Sequence, residues 1–247
     1  MRLLQYTMLS DTLNLLYCIL NLPIRLNKHD YNLNGLHMTQ EEFKSSVRAG
    51  LNGWYSSKKY EDDAVERICN VRKEFRKLLG SVQRDGIPSL LDYLDQCGFY
   101  YRPSSARRHH NYPGGLAEHC LGVYKQMARM PVAKQMPDSV KVVGLLHDMC
   151  KCDQFRFEGR AILSKKISGH GSRSIMIIKQ CGVQLDEYEY RAIRYHMRRT
   201  ASQSGRPAPQ YDRAVSEPLR KAVCKADTID ATAAVIKDIM FNQGGRR

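Results

Sequence analysis

The chain has no apolar run long enough to cross a membrane. Its stretch LNLLYCILNLPIRL, within the first 37 residues, is too short for a span and is broken by Asn14, Asn21 and Pro23. Only Arg2 precedes that run and no small-residue cleavage site stands out, which argues against a secretory signal. Residues 1–37 read instead as a peripheral extension, or as sequence upstream of a start at Met38. Eight cysteines form no Cys-x-x-Cys pair and sit in otherwise helical patterns, which suits reduced thiols in the cytoplasm better than a disulfide framework. Two of them, Cys150 and Cys152, flank Lys151. There is no internal repeat, and no long alternation of apolar and polar residues that would mark extended strands. Acidic residues are scarce: 25 Asp and Glu face 39 Lys and Arg, for a formal charge of +14. A field of that sign favours nucleotides, phosphate esters or nucleic acid, without choosing among them.

What is present is a helical pattern from Thr39 onward. With 247 residues and 43% hydrophobic content, the chain can bury a core in one large domain or two small ones. Thr39 and Glu42 fit a capping box that opens a helix to about Trp54. Ala64, Ile68, Val71, Phe75 and Leu78 recur every three or four residues and predict an amphipathic helix over about 61–79. A shorter helix begins at Pro88 and Ser89, presents Leu90, Leu91 and Leu94, and closes near Gly98. The Pro- and Ser-rich stretch over about 200–218 is long for a loop and, standing just after His196, reads as a lid or binding loop.

Between Pro113 and Asp227 a set of histidines and aspartates falls on this helical frame. After the turn Pro113-Gly114-Gly115, Leu116, His119, Val123 and Met127 share one helix face, so His119 points inward. The apolar run Val142, Val143, Leu145 and Leu146 delivers His147 and Asp148 at the end of a second buried helix. An ionised aspartate there needs a partner, because an unpaired buried carboxylate costs several kcal/mol and a cation removes that cost. Asp186 to Glu189 is a capped helix start that puts Ile193 and His196 on one inward face. A last helix, opened by Ser216, Glu217 and Pro218, carries Leu219, Val223, Asp227 and Ala234 in one stripe. Each residue alone has an ordinary explanation as a hydrogen-bonded core histidine or a paired surface aspartate. Together they are a donor set, brought by several segments from the faces that otherwise pack the core.

HHNYPGGLAEHCLGVY, VVGLLHDMCK, GHGSRSIMII, YRAIRYHM and CKADTIDA, spread over about 101–234, resemble the HD-domain metal-dependent phosphohydrolases of bacterial type. The resemblance implies an all-α helical bundle over 38–247 with a metal site between core helices. It implies His119, His147, Asp148 and Asp227 as ligands of a first divalent metal, with His170 and His196 added where two metals bind and Asp148 bridging. Imidazole and carboxylate ligands suit manganese, iron, nickel, zinc or magnesium alike. Two such cations activate a water for attack on phosphorus and clamp the phosphoryl oxygens. By the same resemblance Lys151 neutralises a phosphate oxygen in the transition state, unless it is a surface lysine at a helix end. His109 contacts substrate or donates a proton. Arg107, Arg108 and His110 beside it read as an anion-binding rim or as a solvated basic loop. Arg173, Arg194, Arg198 and Arg199 are the better phosphate-binding candidates, being close in sequence to His170 and His196.

The implied function is hydrolysis of a nucleotide or other small phosphate ester, with no membrane involvement. The chain lacks a Gly-Tyr-Pro extension of the cyclic-dinucleotide type, and its upstream region is helical where an exoribonuclease relative would carry a β-rich fold. The alternatives are a nuclease or phosphodiesterase on single-stranded nucleic acid, an oxygenase with two irons, or a regulatory module that binds metal or nucleotide without turnover. Against the last, all six ligand positions are filled.

Overall fold

In a computed structural model of the chain, residues 38–197 and 217–242 are described, with side chains to Lys237, all within the unit that begins at residue 35. The extension 1–37 and most of the Pro- and Ser-rich stretch lie outside the described residues. Ten helices and one hairpin make up the described part. They are α1 (Gln40–Leu51), α2 (Lys58–Gly80), α3 (Ile87–Gln96), α4 (Gly115–Met127), α5 (Val132–Gln135), α6 (Pro137–Leu146) and α7 (Lys151–Gln154). After them come β1 (Phe155–Glu158), β2 (Ala161–Ser164), α8 (His170–Gln180), α9 (Glu187–Arg194) and α10 (Pro218–Asn242).

The local signals act as expected. Thr39 and Glu42 exchange side-chain and backbone hydrogen bonds as a capping box, and Asp186 and Glu189 do the same for α9. Helix α1 stops at Leu51 rather than Trp54, because Asn52 takes the left-handed conformation that closes a helix. The buried faces of α1, α2 and the α3–α4 connection meet in an aromatic cluster: Phe43, Phe75, Phe99 and Tyr100 pack edge to face with ring centroids 5.2–5.7 Å apart. A buried carboxylate braces this layer. Asp95 is held by Arg72 at 2.7 Å and Arg76 at 2.9 Å.

Helix α4 is central, packed by α6 on one side and α10 on the other. Gly144 permits the first contact: a Cβ there would stand 2.8 Å from the Tyr124 Cα, so any side chain would force α6 away from α4. That close approach brings the end of α6 beside His119.

The hairpin is the one β element among the described residues, and the sequence reading did not include it. Phe155 pairs with Ser164 and Glu158 with Ala161, antiparallel, across a turn at Gly159 and Arg160. Phe155 and Phe157 face inward while Arg156 and Glu158 face solvent, and Phe157 meets Trp54 at 4.8 Å. Four residues per strand give only two inward positions, too few to stand out as an alternation.

Candidate metal centre

Five segments deliver the six predicted ligands to one buried point. His119 comes from α4, His147 and Asp148 from the turn that ends α6, and His170 from the first residue of α8. Asp227 comes from α10, and His196 from just beyond α9. The expectation that His196 lies on the helix it follows is corrected. Helix α9 ends at Arg194, and the residues just after it are held by α10 instead: Arg220 Nε and Cys224 Sγ donate to the Tyr195 and His196 carbonyls at 2.9 and 2.7 Å.

Asp148 sits at the middle of the cluster. Its Oδ1 lies 2.6 Å from His170 Nε2 and 3.6 Å from His196 Nε2. Its Oδ2 lies 2.6 Å from Lys151 Nζ, 3.5 Å from His119 Nε2 and 3.6 Å from His147 Nε2. Asp227 Oδ1 is 3.3 Å from His119 Nε2. The two oxygens of Asp148 thus face two different pairs of imidazoles.

The chemistry of the histidines fits a metal. The Nε2 atoms of His119, His147 and His196 are fully buried and have no hydrogen-bond partner. Their other ring nitrogens are tied down: His147 Nδ1 donates to the Gly144 carbonyl at 3.1 Å, His196 Nδ1 to the Ile193 carbonyl at 2.7 Å, and His119 Nδ1 lies 2.7 Å from Asp230 Oδ2. In His147 and His196 the proton is fixed on Nδ1, which leaves the Nε2 lone pair directed at the carboxylates. Orphaned polar atoms in a dry interior are costly, and a cation shared by these lone pairs and carboxylates removes that cost. His119 with His147 and Asp148, and His147 with His196 and Asp227, each offer ligand atoms within 4.8 Å of one another.

The titration behaviour follows from burial set against charge. Burial pushes His147 down to about 3. Burial also opposes charge on His119, but the carboxylates of Asp148, Asp227 and Asp230 around it together raise it to about 10. Asp148 is held well below the usual carboxylate range: burial works against it, and the Lys151 ammonium and the surrounding imidazoles overcome that. Asp227 is lowered for a similar reason, with His119 the chief opponent of its burial. A proton on His119 in this setting stands in for part of the positive charge a metal brings.

Lys151, its side chain only 14% exposed, lies between Asp148 and the Ser104 hydroxyl, 3.1 Å away, so it is not a surface lysine. His109 and His110 fold over His119 with ring centroids at 4.9 and 5.3 Å, their Nδ1 atoms 3.3 Å apart. Burial pushes them down to about 4 and about 3 respectively. Arg173 and Arg194 are not in contact with the six. Arg173 spends Nε and one terminal nitrogen on Asp153 at 2.9 and 2.7 Å. Arg194 bonds the hydroxyls of Tyr195 at 3.1 Å and Tyr190 at 2.9 Å. Arg198 and Arg199 lie outside the described residues.

Sequence reasoning missed Asp230. A Cβ at Gly122 would collide with the Asp230 carboxylate, so α4 carries a glycine where α10 sends this side chain to His119. Cys150 is also drawn in, its Sγ 3.1 Å from His170 Nδ1. Burial pushes its thiol up to about 12, so without a metal it is a neutral partner.

Searches of curated proteins and of solved structures found no significant match. A family model described as HD domain matches residues 116–232, a span that contains all six histidine and aspartate candidates together with Lys151 and Asp230. His109 and His110 fall just before it. Residues 116–232 therefore form an HD domain, the domain of the metal-dependent phosphohydrolases that the motifs resemble.

Proposed function

We propose that the protein hydrolyses a nucleotide or another small phosphate ester with divalent metal held by His119, His147, Asp148, His170, His196 and Asp227. The observation that carries this reading is the set of three buried, partnerless Nε2 atoms directed at two carboxylates that are themselves kept ionised. The two oxygens of Asp148 face different pairs of imidazoles, so this carboxylate would help to hold metal on either side. Divalent cations there supply Lewis acidity and make a water acidic enough to attack phosphorus at neutral pH.

The remaining roles belong to the chain's own groups. Lys151 Nζ, fixed by Asp148 and Ser104, presents a permanent positive charge to a phosphoryl oxygen. His109 is a neutral imidazole near pH 7 and offers a ring N–H to the substrate or its leaving oxygen. Arg173 and Arg194, anchored to Asp153 and to tyrosine hydroxyls, add positive field from α8 and α9, and Arg198 is the corresponding candidate beyond them.

The test is release of orthophosphate or nucleoside from a panel of phosphomonoesters, phosphodiesters and nucleotides, using protein loaded with manganese, iron or zinc. Hydrolysis that disappears in Asp148→Ala supports the reading. A metal-loaded, folded protein that hydrolyses none of the panel would favour a binding module without turnover.

A further inference from the structure

Helix α7, which follows the His147–Asp148 turn, and the hairpin line an open cavity of about 560 Å³, within the range of small-ligand sites. Three of its lining residues, Arg102, Arg156 and Lys165, are cationic, and none forms an ion pair with a described residue. Its one acid, Asp153, is already neutralised by Arg173. The Nε of Arg102 is fully buried without a hydrogen-bond partner. A guanidinium nitrogen in that state is costly unless an anion meets it. The cavity and the metal centre draw on neighbouring residues of the same segments: Cys152, which lines the cavity, follows Lys151, and Arg102 precedes by two residues the Ser104 that Lys151 touches.

We propose that this cavity is a second anion subsite that takes a phosphate of the substrate other than the one at the metal centre. The proposal rests on the phosphohydrolase reading and narrows it to substrates with at least two phosphates. Arg156 and Lys165 are solvent-exposed residues of the hairpin and its exit, suited to drawing the group in, and Arg102 adds a guanidinium whose Nε is buried.

Binding of inorganic pyrophosphate to metal-free protein, read by calorimetry, tests the subsite independently of hydrolysis. The expected result is saturable binding that weakens tenfold or more in Arg156→Gln/Lys165→Gln. It should stay within twofold in Lys73→Gln/Lys77→Gln, which removes two exposed charges from α2 away from the cavity. No binding by the wild type, or equal weakening in both double variants, would overturn the proposal. In metal-loaded enzyme the hairpin variant should raise KM for a nucleoside diphosphate at least tenfold and leave KM for para-nitrophenyl phosphate unchanged. An equal rise for both would also overturn it. Should no ester be hydrolysed at all, the pyrophosphate measurement still decides whether the cavity binds phosphate.

Discussion

Asp230 is not one of the six candidate ligands, yet it holds the imidazole of one of them, His119. With its Oδ2 2.7 Å from His119 Nδ1, it sets which nitrogen of His119 is available to a cation and how the ring is turned. Replacing Asp230 with Asn should therefore weaken metal binding by about 10- to 100-fold, the range typical for such supporting carboxylates. Competition against a chromophoric chelator reads this directly, and unchanged affinity in a folded Asp230→Asn protein would remove Asp230 from the account. The residue stood in the quoted stretch CKADTIDA, but no spacing rule says that a side chain one turn after Asp227 reaches a histidine 111 residues earlier. Asp148 and His147 were legible because an apolar run leads straight into them. Asp230 depends on how α10 lies across α4, which only tertiary packing decides.

Protonation at single residues also fixes how metal-free protein responds to acid. An unfolded histidine titrates near 6.5, whereas burial pushes His109, His110 and His147 down to about 4, 3 and 3. Below pH 6.5 the unfolded chain therefore takes up protons that the folded chain refuses, and stability falls as the pH drops toward 3. His119 has the opposite sign: raised to about 10, its contribution is complete below 6.5 and is lost as pH rises through 10. Chelator-treated protein should show a Tm that declines below pH 6.5, with a shallower decline in His110→Asn. Asparagine tolerates the left-handed backbone at that position, where φ is 51°. An acid limb of the same slope in the variant would contradict the assignment of His110.

At the scale of elements, the capped helices were the most readable part of the chain. The Asp186–Glu189 box fixes the start of α9, and Asp186→Ala should cost about 1 kcal/mol in urea denaturation. Glu189 adds a second anchor: fully buried, it binds Arg84 through both carboxylate oxygens at 2.6 and 2.7 Å, tying α9 to the turn after α2. The far end of α9 was misjudged for a physical reason. Periodicity alone carries the helix through His196, but Tyr195 and His196 are instead docked on α10, whose Arg220 and Cys224 donate to their carbonyls. The β1–β2 hairpin escaped notice in the same way, since its short strands gain their inward contacts, such as Phe157 on Trp54, from elements distant in sequence.

At the scale of the whole molecule, the bundle is a device for bringing charged groups into a dry centre. No helix among the described residues is long and apolar enough to cross a membrane, and the seven described cysteines are all free. The excess of basic residues noted in the sequence becomes structural at two places, Lys151 inside the cluster and the cationic cavity lined by α7 and the hairpin. The order of the histidines and aspartates made the family and the cluster legible. The cavity was not, because its three cations come from the segment before α4, from β1 and from the residue after β2.

The most direct test of the central claim is the metal content per chain by elemental analysis, on protein purified without chelator and on His147→Ala/Asp148→Ala beside it. The account predicts two equivalents of a divalent transition metal in the parent protein, and their loss in a variant that circular dichroism shows to be folded. Parent protein that takes up no metal, even after reconstitution with manganese, iron or zinc, would contradict it.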